Sequence, residues 1–144
     1  MSRSPTAGRA AAPAEAGVTD SITPDKLLDL ADQMLTARVR GVGSLWPRVC
    51  ALLIRLALER SLDRYWARVL PEGAEVGMRQ QLLLLPQYAH SSSEAADAAS
   101  LAREAWLGLA GAAHHHVYEL APTAEELRRW HRAVRRLIAV LNES

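Results

Sequence analysis

Three consecutive histidines, His114, His115 and His116, form the densest group of potentially reactive side chains in this 144-residue chain. Tyr118 and Glu119 follow them in the segment AAHHHVYEL. A histidine oriented by a carboxylate suits general acid–base catalysis, so the histidines are candidate catalytic residues and Tyr118 is a candidate phosphate or base contact. A helix end explains the same segment, because cationic histidines interact favourably with its carbonyl groups. Residue types alone favour this structural interpretation.

A metal site is not expected at this junction. Successive residues of an α-helix point about 100° apart, whereas helical metal ligands share a face at i and i+4. Cys50, the only cysteine, lies in the apolar run VCALLIRLAL, which predicts a buried, unreactive thiol. We therefore expect neither a metal ion nor another cofactor.

The last predicted helix carries a second group of candidate residues, a basic face opposite its apolar stripe, and His131 is placed on that face. Forked guanidinium donors suit phosphate groups. The candidate nucleic-acid or phosphate-binding residues are Arg128, Arg129, Arg132, Arg135 and Arg136. The alternative is a solvated face, partly neutralised by Asp25, Asp29 and Asp32 of the first predicted helix or by the two glutamates at the start of the last.

A third candidate is the pair formed by Arg55 and Glu59, which lie four residues apart in the most apolar predicted helix. Charged side chains in such a helix are expected to be paired or to line a groove. With Arg60 and Arg64 on the adjacent face, the pair is a candidate polar cleft.

Composition and periodicity indicate helices as the elements that position these residues. Apolar residues make up 49% of the chain, and its basic residues are sixteen arginines and a single lysine, Lys26. Alanine, leucine, arginine and glutamate are good helix formers. Apolar residues recur at helical spacing in five segments that are separated by Gly, Pro and Ser, and nothing alternates like a strand. The prediction is an all-α, antiparallel bundle of about five helices.

Local signals predict where these helices begin and end. Thr23 caps the first helix and Ser44 the second. The third helix, in GMRQQLLLLPQYA, is expected to stop or kink before Pro86. Thr123 and Glu126 form a capping box at the start of the last helix.

The same periodicity predicts which faces are buried. The fourth helix is rich in small residues, and Gly108 and Gly111 allow a neighbouring helix to come close. The apolar face expected for the second helix comprises Val49, Leu52, Leu53, Leu56, Leu62 and Trp66. The stripe expected for the last helix comprises Leu127, Trp130, Val134, Leu137, Ile138 and Leu141.

The chain is predicted to hold one domain. Residues 1–20 have too few large apolar groups to offset the entropy of ordering and are expected to form a disordered tail, before a single helical bundle over residues 21–144. No segment resembles a signal peptide or a membrane span, so we expect a cytoplasmic protein with no membrane partner. The net charge of +1 argues against a dedicated, nonspecific polyanion binder.

The chain resembles the HEPN superfamily, small helical bundles that include many prokaryotic ribonucleases and inactive relatives. The helix with RLALERSLDRYW is similar to the first core helix of the family. The small-residue helix ending in AAHHHVYEL resembles the helix that leads to its catalytic histidine, and PTAEELRRWHRAVRRLIAVL matches its closing helix. The likeness covers about residues 44–141. It implies a HEPN-like fold, a homodimer and a role with RNA or a nucleotide.

Active members of the family carry an arginine four to six residues before the histidine and cleave RNA without a metal ion. Here the corresponding positions hold only Leu, Gly and Ala, and Arg103 lies too far upstream. The first expectation is therefore an accessory or binding protein that engages RNA, a nucleotide or a protein partner without robust catalysis.

Two alternatives stay open. One is a metal-independent ribonuclease of toxin or defence type, paired with a cognate protein. It would use the histidine junction and, in place of the missing arginine, Arg55, Arg60 or an arginine of the last helix. The other is a purely protein-binding helical adaptor.

Overall fold

The computed structural model describes residues 22–37, 40–88, 93–113 and 120–143. All their secondary structure is helical, and five α-helices follow one another: α1 Pro24–Ala37, α2 Trp46–Val69, α3 Met78–Tyr88, α4 Ser93–Ala113 and α5 Ala124–Glu143. Two short 3₁₀ segments, Arg40–Leu45 and Pro71–Glu75, flank α2. The all-α prediction is confirmed. The expected tail, residues 1–20, lies outside the described residues, and the single domain stays a prediction.

Two predicted helix starts are confirmed. The hydroxyl of Thr23 accepts a hydrogen bond from the backbone N–H of Lys26 at 3.2 Å, and Pro24 occupies the first helical position. In the capping box, Thr123 Oγ1 accepts from the N–H of Glu126 at 3.1 Å, and the carboxylate of Glu126 accepts from the N–H of Thr123 at 3.3 Å. Each helix thereby satisfies amide groups that its first turn would otherwise leave without a partner.

The cap predicted for α2 is wrong, and of the two outcomes predicted at Pro86, a stop or a kink, the stop is wrong. Leu45, not Ser44, precedes α2, and no side chain caps this helix. The preceding 3₁₀ segment leads into α2 with Leu45 in a helical conformation (φ −84°, ψ −9°), whereas a side-chain cap usually needs an extended residue. Helix α3 does not stop before Pro86 but continues to Tyr88. Because Pro86 lies in the last turn, its missing N–H removes only one bond near the helix end.

Hydrogen bonds from α2 show the relative directions of α1, α2 and α5. Arg60 on α2 donates to the carbonyl of Ile22, just before α1, at 3.1 Å, and the thiol of Cys50, one turn into α2, lies 3.6 Å from the carbonyl of Ala31. Helices α1 and α2 are therefore antiparallel. Arg68 near the end of α2 donates to the carbonyl of Leu141 near the end of α5 at 3.2 Å. Helices α2 and α5 therefore run in the same direction.

Helix α4 completes the bundle. Arg48, in the first turn of α2, donates to the carbonyl of Ala112, in the last turn of α4, at 3.5 Å. Helix α4 is therefore antiparallel to α2 and, because α2 and α5 run in the same direction, to α5 as well. The end of α4 and the start of α5 therefore lie at the end of the bundle where α2 begins.

One buried cluster joins all five helices. The stripe predicted for α5 is confirmed, since all six of its members are buried. Helix α4 contributes mainly alanines, as its small-residue composition predicts. The largest fully buried side chains are Trp66, Tyr65, Leu28, Ile54, Leu58, Leu62, Leu82, Leu85, Leu109, Leu127, Leu137 and Val134.

The face predicted for α2 is only partly correct. Leu62 and Trp66 are buried, but Leu52 is 49% exposed and Val49, Leu53 and Leu56 are half-buried. The buried face instead includes small and polar-capable residues, among them Cys50, Ala51, Ala57 and Ser61. Helix α2 contacts α1, α4 and α5, and small residues allow these helices to come close on several sides. The hydrophobicity of the side chains alone therefore does not predict which residues of α2 become buried.

Candidate functional site

The histidine junction lies outside the described residues: His114, His115, His116, Tyr118 and Glu119 are all among residues 114–119. Their predicted roles stay predictions. The residues on both sides of the junction are described. Ala112 before it and residues 120–123 after it line the same cavity, which has a volume of about 580 Å³.

The basic face of α5 divides into two rows. Arg128 donates to the carbonyl of Leu35 at 3.3 Å, and Arg135 forms an ion pair with Asp29 at 3.1 Å. These two arginines, seven residues apart, therefore reach across to α1, and the neutralisation expected from Asp29 is present. In both cases the guanidinium group is used within the fold.

The other three arginines form what we call the arginine row: Arg129, Arg132 and Arg136. They line a cavity of about 310 Å³ between α4 and α5. Residues three and four apart share a helix face, which explains why the spacing 129, 132 and 136 forms one row. The remaining lining comprises Leu101, Glu104 and Ala105 of α4, and Trp130 and Ala133 of α5.

The arginine row carries positive charge that the described parts of the chain do not balance. Its side chains are exposed, and no described carboxylate or other acceptor forms an ion pair or hydrogen bond with them. Glu104 is the one acidic residue among the described residues that line the cavity. Glu126, expected to help neutralise this face, is hydrogen-bonded to Thr123 in the capping box. The cavity therefore combines an apolar floor with an excess of guanidinium groups.

His131 does not belong to the basic face, which corrects the sequence prediction. It is only 7% exposed, and its Nε2 lies 2.8 Å from the carbonyl oxygen of Leu28. A carbonyl only accepts hydrogen bonds, so Nε2 carries the proton and donates. The signal was present in the sequence, because position 131 lies four residues after Leu127 and three before Val134, on the edge of the buried stripe.

Trp130 lies between the arginine row and the cavity lined by Ala112 and residues 120–123, since it lines both cavities. Its indole packs directly on Gly108 of α4, where an added Cβ would overlap the ring. This confirms the close helix approach predicted at Gly108. At Gly111 an added Cβ would meet nothing within 4 Å, so that glycine is not required for helix packing and instead opens onto the second cavity.

Arg55 and Glu59 are paired with each other within α2. Arg55 Nε donates to Glu59 Oε1 at 2.8 Å, and the two side chains are 31% and 28% exposed. The expected pairing is present. Arg60 binds the carbonyl of Ile22, whereas Arg64 lines a separate cavity with Tyr65 and Arg68. The polar-cleft role of Arg55 and Glu59 therefore stays a prediction.

Arg48 is the residue that sequence reasoning missed. Its bond to Ala112 brings a guanidinium group to the last turn of α4, directly before the histidine junction. The sequence instead pointed to Arg55, Arg60 and the arginines of α5 as replacements for the arginine missing from the HEPN pattern. The antiparallel arrangement of α2 and α4 explains the difference, because it brings the first turn of α2, and not its middle, to the end of α4.

Other chemistry is limited in the described parts of the chain. They contain no group of three or more His, Cys, Asp or Glu side chains arranged to hold a metal ion. Cys50 is buried, and burial, with the charge of Asp32, raises the pKa of its thiol to about 11. The thiol is therefore protonated at neutral pH. None of the helices in these ranges has the length and apolar character to cross a membrane.

Comparisons with family models, with curated proteins and with solved structures give no match to this chain.

Proposed function

We propose that this protein is a HEPN-like accessory protein that binds single-stranded RNA along the arginine row. One observation carries the proposal. Three arginines line a single groove between α4 and α5 together with one glutamate, Glu104, and none of the three forms an ion pair with a described carboxylate. The neighbouring arginines Arg128 and Arg135 lack this property because α1 already binds them.

Phosphate groups are the anions that best match this groove. Guanidinium groups bind phosphate through paired, charge-assisted hydrogen bonds. Like charges three or four residues apart on a helix destabilise it by a few tenths of a kcal/mol per pair, roughly 0.2–0.5, and bound phosphates would relieve that repulsion. The small net charge of +1 is compatible with this proposal, because binding depends on the local row.

An oligonucleotide suits the groove better than a single nucleotide. Along the helix axis the row extends over about 10 Å, from the rise of about 1.5 Å per residue, so it offers contacts to more than one phosphate. The open groove also gives access to a strand from solvent. We expect a mononucleotide to bind much more weakly than a short RNA. A homodimer and a cognate protein partner stay predictions from the family resemblance.

The test compares two matched double variants in the full chain. R129Q/R136Q and R128Q/R135Q each remove two charges from α5 with the same seven-residue spacing. Fluorescence anisotropy with a labelled single-stranded RNA should show weaker binding by R129Q/R136Q and little change for R128Q/R135Q. Circular dichroism establishes that both variants fold. Equal losses in the two variants, or no RNA binding by the parent protein, would contradict the proposal; the second result favours a protein-binding adaptor.

A second candidate function, a metal-independent ribonuclease, gains support from Arg48. Its guanidinium group binds the carbonyl of Ala112 in the last turn of α4, two residues before His114 in the sequence, so it is the best candidate to replace the arginine missing from the HEPN pattern. In this reaction a histidine would transfer the proton and Arg48 would stabilise the charged phosphate transition state.

Incubation with labelled RNA in EDTA tests this second candidate. Cleavage that disappears in a folded variant with His114, His115 and His116 changed to Ala, and again in R48Q, would support the ribonuclease. RNA that is bound but uncut leaves the accessory function in place.

A further inference from the structure

We propose that the cavity beside Gly108 and Gly111, which we call the glycine pocket, holds a base of the RNA whose phosphates bind the arginine row. This inference rests on the proposed function. It adds a binding site for the base, which is neutral and is not bound by the charge of the arginine row. The glycine pocket is lined by the end of α4, the segment before α5 and the first turn of α5, and its volume is about 580 Å³.

The position of the glycine pocket favours the same ligand as the arginine row. Trp130 lines both cavities, so the two sites adjoin along the α4–α5 interface. Arg129 and Trp130 are consecutive residues. A nucleotide with its phosphate on Arg129 can therefore place its base on the other side of the Trp130 indole without leaving the interface.

The charges of the two cavities also favour the phosphate in the first cavity and the base in the second. Arginines line the first cavity, whereas Glu126 is the one ionisable residue among the described residues that line the second. Glu126 Oε1 accepts hydrogen bonds from Thr123 in the capping box, so Oε2 is the oxygen that can accept from a ligand. A carboxylate repels phosphate but accepts hydrogen bonds from amino groups, as glutamate does with the amino group of cytosine. The anionic part of the ligand is thus favoured in the first cavity and the neutral, amino-bearing base in the second.

The surfaces of the glycine pocket suit a flat ring. Gly108, Gly111 and Ala112 present helix backbone and little side chain, and Pro122 adds a rigid apolar surface. Because a Cβ at Gly111 would meet nothing within 4 Å, the space over this residue is open. Apolar and aromatic surfaces that contact a base typically contribute affinity with little sequence preference.

Gly111 also provides the variant that tests the inference. G111L places an apolar side chain in the open space of the pocket and replaces glycine in a helix by a better helix former, so we expect the variant to fold, which circular dichroism checks. G111A is the matched control, because it makes the same backbone change and leaves most of the pocket open.

Binding is measured with hexacytidine and with an abasic oligomer of the same length and charge. The parent protein and G111A should bind hexacytidine about tenfold more tightly than the abasic oligomer, within the range typical of one base contact. G111L should bind the two oligomers equally, with the affinity for the abasic oligomer unchanged.

The outcomes separate this inference from the proposed function. Equal binding of the two oligomers by the parent protein, or an unchanged preference in G111L, overturns the base pocket. If R129Q/R136Q still weakens both complexes, RNA binding by the arginine row stands without it. No binding of either oligomer contradicts both proposals.

Discussion

His131 and Arg132 are adjacent in the sequence, yet they face different environments. The imidazole of His131 is buried and donates to the carbonyl of Leu28 on α1, whereas the side chain of Arg132 is exposed and lines the groove between α4 and α5. Replacing His131 should therefore change the stability of the fold, whereas replacing Arg132 should change RNA binding.

This difference gives the first prediction. H131A removes a buried hydrogen bond and leaves a small cavity, so it should lower the free energy of unfolding by about 1–3 kcal/mol without changing RNA affinity in the folded protein. R132A should change stability by less than about 0.5 kcal/mol but weaken RNA binding. Urea unfolding and anisotropy titration measure the two effects. If folded H131A lost RNA affinity, the result would contradict this prediction and indicate that His131 contributes to RNA binding.

Cys50 predicts how stability depends on alkaline pH. Burial raises the pKa of its thiol from 9.0 to about 11, so the folded protein keeps the proton at pH values where the unfolded chain loses it. The contribution of this group is complete below pH 9.0 and is lost as the pH rises towards about 11. The free energy of unfolding should decline over this range. Tyr65, whose pKa burial also raises, acts in the same direction.

Cys50→Ala separates the two groups. The variant should show a shallower decline between pH 9.0 and about 11 than the parent protein, whatever its absolute stability. Parallel declines in parent and variant would show that the thiol is not responsible.

At the scale of the element, α4 contains two glycines that serve different purposes. Gly108 contacts the indole of Trp130 so closely that no Cβ fits without movement, whereas Gly111 has open space around it. Both lie inside a helix, where glycine is less favourable than alanine by roughly 0.5–1 kcal/mol.

The two alanine variants should therefore have opposite effects. G111A should raise the free energy of unfolding by up to about 1 kcal/mol, and G108A should lower it because Trp130 must move. Urea unfolding of both variants in parallel measures this. If G108A is as stable as G111A, the result contradicts the close contact between Gly108 of α4 and Trp130 of α5.

Local signals predicted most of the elements but not all of their faces. The cap at Thr23, the capping box at Thr123 and the stripe of α5 depend on residues close together in the chain, and all are confirmed. The buried face of α2 depends on three neighbouring helices. Side-chain size and local periodicity do not contain that information, and Leu52 is consequently exposed where burial was expected.

At the scale of the whole molecule, the packing of helices decides which arginines are available. The sequence showed five arginines on α5 but not that α1 binds Arg128 and Arg135 and that α4 leaves the other three accessible. The same arrangement brings Arg48 to the end of α4. Both findings depend on which helices are neighbours, and residue spacing within one helix does not specify this.

The net charge of +1 makes salt dependence informative for this molecule. If RNA binding depended on the overall charge of the protein, its affinity would depend only weakly on salt concentration, and no small group of arginines would determine that dependence. A binder that uses the arginine row should release about 0.7 counterions for each phosphate that it neutralises on a single strand.

The most direct measurement is the RNA affinity of the parent protein and of R129Q/R136Q over a series of salt concentrations. With three arginines on phosphates, the slope of log K against log salt concentration should be about −2 for the parent protein and about −0.7 for the variant. R128Q/R135Q should keep the slope of the parent protein. A slope that is the same for the parent and R129Q/R136Q, or that falls equally in both double variants, would contradict binding at the arginine row.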